Sequence, residues 1–138
     1  MKIQYSDVQV GDALPALNLP AINRTTLALY CGASGDHNPI HVDIDFARKA
    51  RMPDVFAHGM LSAAYLGRLL TQWVPQKHVR SFSMRFTGIT QLGHTPVCTG
   101  KVTEKFVENG EQRVRLAILC ANQYGEDKLV GEAVVALA

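Results

Sequence analysis

The chain has 138 residues, 47% of them hydrophobic and 19% charged, and its 14 Lys and Arg against 12 Asp and Glu leave a formal net charge of +2. That length predicts one compact domain with a self-sufficient core, over residues 1–138. The apolar fraction excludes a disordered chain, and the near-balanced charge with no basic run longer than a pair argues against a nucleic-acid partner.

In chain order, residues 1–12 carry Gln4, Asp7 and Asp12 and no apolar stretch of the signal-peptide kind. Val8-Gln9-Val10-Gly11-Asp12 reads as a short extended piece and turn, and Leu17 to Pro20 as a short strand. Thr25 or Thr26 is the expected cap of a helix running to about Cys31, which Gly32 to Asp36 breaks. A second helix is expected over Ile44 to Ala50, with Phe46 and Ala47 facing in and Arg48 and Lys49 facing out.

From about Met60 to Val74 the apolar residues cover nearly every direction around a helix, leaving only Arg68, Thr71 and Gln72 as a polar stripe, and Pro75 stops it. Such a helix has to be enclosed. The period then changes to two. Phe82, Met84 and Phe86 alternate with Ser83, Arg85 and Thr87 as a half-buried strand. Two long strands, Val97 to Val107 and Arg113 to Asn122, flank Asn109-Gly110, a dipeptide suited to a type I′ hairpin. A further turn at Tyr124 to Asp127 leads into a last strand, Leu129 to Leu137. The expected class is α+β: an antiparallel sheet wrapped around one apolar helix, which is a hotdog domain.

Cys31, Cys98 and Cys120 are odd in number and form no Cys-x-x-Cys pair, so neither a disulfide scaffold nor a thiolate zinc site is expected. Cys98 and Cys120 read as small buried hydrophobes. No unbroken apolar run exceeds six residues, the length of Ala133 to Ala138, which is far too short for a membrane span. A cytoplasmic, soluble protein is the expectation.

The chemistry concentrates in residues 30–47. Gly35 and Pro39 bracket a turn that cannot continue as helix, and Asn38-Pro39 fixes a kink between Asp36 and His41. A carboxylate and an imidazole held on a stiff loop form an acid/base pair in principle, because imidazole titrates nearest neutral pH and a carboxylate sets its tautomer. The bland alternative is a structural Asp near a structural His. A metal reading of Asp36, His37, His41, Asp43, Asp45 and His58 fails the EF-hand pattern, since Ile40 stands where a ligand is required, while zinc held by the paired histidines stays open on the residues alone. Asp43 and Asp45 suit solvated or capping positions at the start of the second helix, and His78 and His94 suit the surface.

Tyr30, Ser34, Gly35, Asp36, Asn38, Pro39, Ile40, His41 and Ala47 closely resemble the signature of the MaoC-like dehydratases, which include (R)-specific enoyl-CoA hydratases. The pattern is an aromatic, two spacers, a small aliphatic, a Ser-type residue, Gly-Asp-x-Asn-Pro-aliphatic-His, five spacers and Ala or Ser. Ala33 departs mildly at the aliphatic slot, and His37 fills a spacer that is often apolar. The likeness extends to Val8–Asp12, Ala57-His58-Gly59-Met60, Arg85-Phe86-Thr87 and Gly131 to Val135, nearly the whole chain.

The resemblance implies reversible hydration of a trans-2-enoyl thioester to a (3R)-3-hydroxyacyl thioester, a hydro-lyase reaction. In it Asp36 and His41 activate water, and the Gly59 N–H at the start of the enclosed helix stabilises the thioester oxygen. It implies no metal and no cofactor beyond the CoA or acyl carrier protein that carries the acyl group. Asn38, His58, Met60, Ser62, Tyr65 and Phe82 are the candidate substrate contacts, with Leu61 and Met84 as further candidates to line an acyl tunnel. His58 reads alternatively as an orienting residue or helix cap, and Ser62 as bonded to its own helix. Arg80, Arg85 and Lys105 are candidate partners for carrier phosphates. The alternatives are the catalytic 3-hydroxyacyl-carrier-protein dehydratase subunit of a fatty-acid synthesis system, and a non-catalytic acyl-thioester-binding hotdog protein. Retention of both Asp36 and His41 favours catalysis. A homodimer is expected through a sheet edge, a heterodimer with a related hotdog subunit being the other possibility.

Overall fold

A computed structural model describes residues 2–138; Met1, the first residue of the expected domain, lies outside them. The elements are β1 (Leu17–Asn18), α1 (Arg24–Ser34), α2 (Ile44–Lys49), α3 (Gly59–Trp73), β2 (Val79–Phe86), β3 (Val97–Glu108), β4 (Glu111–Ala121) and β5 (Asp127–Leu137). All strand pairs are antiparallel, in the spatial order β1-β3-β4-β5-β2. No helix among the described residues is long and apolar enough to cross a membrane.

The sheet curls around α3. Leu66, Leu69 and Leu70 on the helix are almost wholly buried against Val102, Val114, Leu116, Ile118, Cys120, Leu129, Ala133 and Val135 from β3, β4 and β5. Burying those three leucines contributes roughly 1.5–3 kcal/mol each before entropy is charged against it. The alternation expected in β4 holds, with Val114, Leu116, Ile118 and Cys120 all facing inward. Asn109 (φ 52°) and Gly110 (φ 72°) both take positive φ, as a type I′ turn requires, and they fix the β3–β4 register. Cys98 stands opposite Cys120 across that ladder; both are free thiols, buried as expected.

Several expectations change. The α1 cap is Asn23, whose side chain accepts from the Thr26 N–H at 2.8 Å, so the helix starts before Thr25 and runs on to Ser34. Phe46 is exposed, and only Ala47 of that pair is buried. After α3 the strands do not pair in chain order: β2 pairs with β5, leaving β3 to begin the hairpin series on the far side. As the outermost strand β2 is poorly covered. Phe82 (38%) and Phe86 (56%) are exposed, and only Met84 is half-buried. The helix itself is open along Met60, Ala64 and Arg68. His78 and His94 are half-buried, with His78 Nδ1 donating to the Ala136 carbonyl at 3.0 Å and His94 Nδ1 accepting from the Gln91 N–H at 3.1 Å.

Gly131 determines how closely β2 can approach. It pairs with Met84, and a Cβ there would run into the Ser83 carbonyl oxygen and lie 2.9 Å from the Met84 Cα. Backbone atoms cannot step aside as a side-chain tip can. Gly131→Ala is therefore expected to lower unfolding free energy by about 2 kcal/mol or more, read as a fall in the urea midpoint; an unchanged midpoint would refute this account of the β2–β5 contact.

Candidate active site

Each residue type of the 34–41 segment has a local structural task. Gly35 ends α1 in the left-handed conformation (φ 76°), its N–H returning to the Cys31 carbonyl. Ser34 Oγ donates to the Tyr30 carbonyl at 2.7 Å and accepts from the Asp36 N–H at 3.1 Å. Asp36 Oδ1 accepts from the Asn38 N–H at 3.2 Å, and Asn38 Oδ1 accepts from the Ile40 N–H at 3.1 Å. Asn38 thereby caps the 3₁₀ turn Pro39–His41, in which Pro39 supplies a preset φ. The result is a chain of side-chain-to-backbone turns that delivers Asp36 exposed and His41 buried. Asp43 then caps α2 through the N–H groups of Asp45 and Phe46.

The far wall of the site comes from the segment entering α3. His41 Nδ1 lies 2.7 Å from the Phe56 carbonyl oxygen. A carbonyl only accepts, so Nδ1 carries the proton and Nε2 keeps its lone pair. His41 also stacks on His58, with ring centroids 3.8 Å apart and planes inclined by 25°, and meets the Phe56 ring edge-on at 5.2 Å. His58 Nε2 lies 3.2 Å from the Asp36 carbonyl oxygen and 3.4 Å from Cys31 Sγ, while Tyr30 packs edge-on against the ring at 4.7 Å. The next residue, Gly59, opens α3, whose first N–H groups have no acceptor within the helix. The structure therefore brings together Asp36, Asn38, His41, His58 and the amino end of α3.

Donor atoms of Asp36, His41 and His58 lie within 4.8 Å of one another, a spacing compatible with a metal ion. The ring stack is not. Imidazole lone pairs lie in the ring planes, and two planes inclined by 25° at 3.8 Å cannot both aim at one ion about 2 Å from each nitrogen.

The other expected substrate contacts are more scattered. Met60 is 58% exposed on the first turn of α3. Ser62 is buried within α3. Tyr65 packs between the two apolar clusters of the molecule, and burial raises its phenol pKa. Phe82 lies across from Gly67 and shares a shallow groove with Ala64, Arg68, Thr71 and Val79. Among the cations, Arg80 is held bidentately by Glu111 (2.9 and 2.6 Å), Lys105 sits 4.2 Å over the Tyr5 ring, and Arg85 is exposed on β2.

Three contributors were not legible in the sequence. Phe56 acts through its carbonyl, which no residue type advertises. Phe86 lays its ring where a Cβ of Gly59 would be, two ring carbons lying 2.9 Å from that point. Lys128 is the extra residue where β5 bulges against β4, and its buried ammonium donates to the Ile89 carbonyl at 2.8 Å. The neighbouring Thr90 carbonyl accepts from the Ala57 N–H at 2.9 Å, so Lys128 fixes the loop on which the Phe56–Ala57 segment rests.

The chain is similar to several known proteins. An (R)-specific enoyl-CoA hydratase of Rhodospirillum rubrum is 30% identical over 102 residues, 72% of this chain and 69% of that protein. A 3-hydroxybutyryl-CoA dehydratase of Methylorubrum extorquens is 26% identical over 96% of this chain and 83% of its own length. The beta subunit of fatty acid synthase from Saccharomyces cerevisiae is 29% identical over 78% of this chain, which spans only 6% of that protein. Among solved structures, the R-hydratase PhaJ1 from Pseudomonas aeruginosa superposes with a TM-score of 0.86 at 30% identity, over 99% of this chain and 86% of that one. The family model described as MaoC like domain matches residues 8–119, which takes in α1, the Asp36–His41 turn, α3 and most of the sheet, and the chain belongs to that family.

Proposed function

We propose that this chain is a hydro-lyase that adds water reversibly to trans-2-enoyl thioesters, giving (3R)-3-hydroxyacyl thioesters. The observation that carries the reading is the hydrogen bond from His41 Nδ1 to the Phe56 carbonyl, which leaves Nε2 as a free lone pair beside the Asp36 carboxylate. A water held between Nε2 and that carboxylate loses a proton to the pair as its oxygen bonds to C3 of the enoyl group. C2 gains a proton from the same pair on the same face, so the C2=C3 double bond is consumed and the Asp–His pair ends as it began. In the transition state negative charge builds on the thioester oxygen, where the Gly59 N–H and the positive end of α3 stabilise it. Dehydration is the same path reversed.

The pair works without a metal on this reading, which the stacked imidazoles support. The names of the R. rubrum and M. extorquens relatives favour CoA as carrier, and the fungal synthase relatives favour a carrier-protein substrate as the second reading. The three free, buried thiols support a reducing, cytoplasmic setting. The exposed outer edge of β2, with Phe82 and Phe86 uncovered, supports a homodimer formed through that strand.

Purified protein is expected to consume crotonyl-CoA, seen as loss of enoyl-thioester absorbance, with (3R)-3-hydroxybutyryl-CoA as product and no change on adding a chelator. No turnover of any enoyl-CoA or enoyl carrier-protein chain length would sink the hydratase reading. Asp36→Asn and His41→Ala should each lower kcat by about 100-fold or more, as expected for loss of a general acid–base group. Sedimentation at working concentration should give twice the mass of one chain, and a monomer would refute pairing through β2.

A further inference from the structure

His58 is 2% exposed, too enclosed to present a face to substrate, yet it touches both members of the reacting pair. Its Nε2 faces the Asp36 carbonyl oxygen at 3.2 Å and its ring lies flat on His41. Because the carbonyl only accepts, Nε2 is the protonated nitrogen, with Cys31 Sγ at 3.4 Å as a secondary acceptor. Nδ1 is buried with no hydrogen-bond partner. A proton on Nδ1 would thus create a buried N–H with nothing to receive it, whereas a bare lone pair is far better tolerated there.

The titratable groups facing the ring are Tyr30 and Cys31 from α1, Asp36 from the turn and His41 from the 3₁₀ segment. Burial lowers the His58 pKa most. The Asp36 carbonyl opposes that, His41 lowers it further, and the Asp36 carboxylate again opposes; the balance lies below the ordinary imidazole value.

Asp36 stands on an exposed loop, and among the described residues its carboxylate is hydrogen-bonded only to the Asn38 N–H two positions on. The Asp36 backbone therefore depends on its carbonyl for a long-range anchor, and that anchor is His58. His41 has Phe56 to fix its ring rotation and His58 to fix the face on which it lies. We propose that His58 is a positioning residue, gripping the backbone of Asp36 and the ring of His41 so that carboxylate and imidazole stay one water apart. It does so as the neutral Nε2–H tautomer. A cationic ring at 3.8 Å would oppose protonation of His41, so neutrality is part of the device.

The proposal rests on the hydratase reading, and its test separates the two. With wild-type turnover of crotonyl-CoA as reference, His58→Phe keeps the stack and loses the donor, while His58→Gln keeps a donor and loses the stack. Each is expected to lower kcat by roughly 10- to 100-fold with KM within about 3-fold, as for a misplaced catalytic group. Wild-type kcat in both variants would overturn the proposal, as would a rise in KM at constant kcat, which would mark a substrate contact. If neither variant folds, nitrogen NMR of the wild-type histidines decides. It should show His58 still mainly the neutral form protonated on Nε2 at the pH where an ordinary imidazole is half protonated, about 6.5. A proton on Nδ1, or an ordinary imidazole titration, would overturn it. An inactive wild type, by contrast, counts against the hydratase reading and leaves the NMR result to judge His58.

Discussion

The burial of α3 is the constraint on which everything else depends. Its inward leucines complete the main core with β3, β4 and β5, and the same helix lends Leu61 to a second cluster with Ile22, Leu27, Ala47, Val55 and Ala57. Tyr65 touches both clusters. The segment carrying α1 and α2 has little strand pairing of its own, so its position is set through this second cluster. One helix therefore holds both the sheet and the loop that carries Asp36 and His41. Its amino end is the point at which two otherwise separate packing units meet.

That meeting point explains why the site has such a mixed parentage. Asp36 and His41 come from turns whose bonds are local, each within a few residues. The groups that orient them, the Phe56 carbonyl and the His58 ring, come from the chain entering α3. That chain is pinned in turn by the Ala57–Thr90 hydrogen bond to the loop following β2, and Lys128 pins the loop. Local turns set the angles of Asp36 and His41, and long-range packing sets the distance between them.

The same division decided what could be read from the sequence. Periodicity and turn chemistry revealed the enclosed helix, the Asn109-Gly110 hairpin and the inward face of β4, because each is encoded within a dozen residues. The turn chemistry around Asp36 and His41 was legible for the same reason. Periodicity misjudged β2: alternating Phe82, Met84 and Phe86 signals an apolar face but cannot say that this strand ends at the sheet's border. Phe46 failed similarly, since one turn of α2 offers too short a pattern to define a buried side. Lys128 was hidden by the bulge, which turns two consecutive residues inward and breaks the alternation. A backbone carbonyl such as that of Phe56 leaves no trace in residue identity at all.

The contact between Phe86 and Gly59 has a consequence for how this chain can change. The Phe86 ring fills the volume that any side chain at position 59 would need, although the two residues belong to different elements and lie 27 positions apart. A methyl group at 59 forces the ring away, whereas a small residue at 86 removes those two closest contacts. The two sites are therefore epistatic, and the effect of a double substitution is not the sum of its parts. Drift at the border of the sheet is thereby tied to the start of α3, because while the Phe86 ring keeps its place position 59 has room only for glycine.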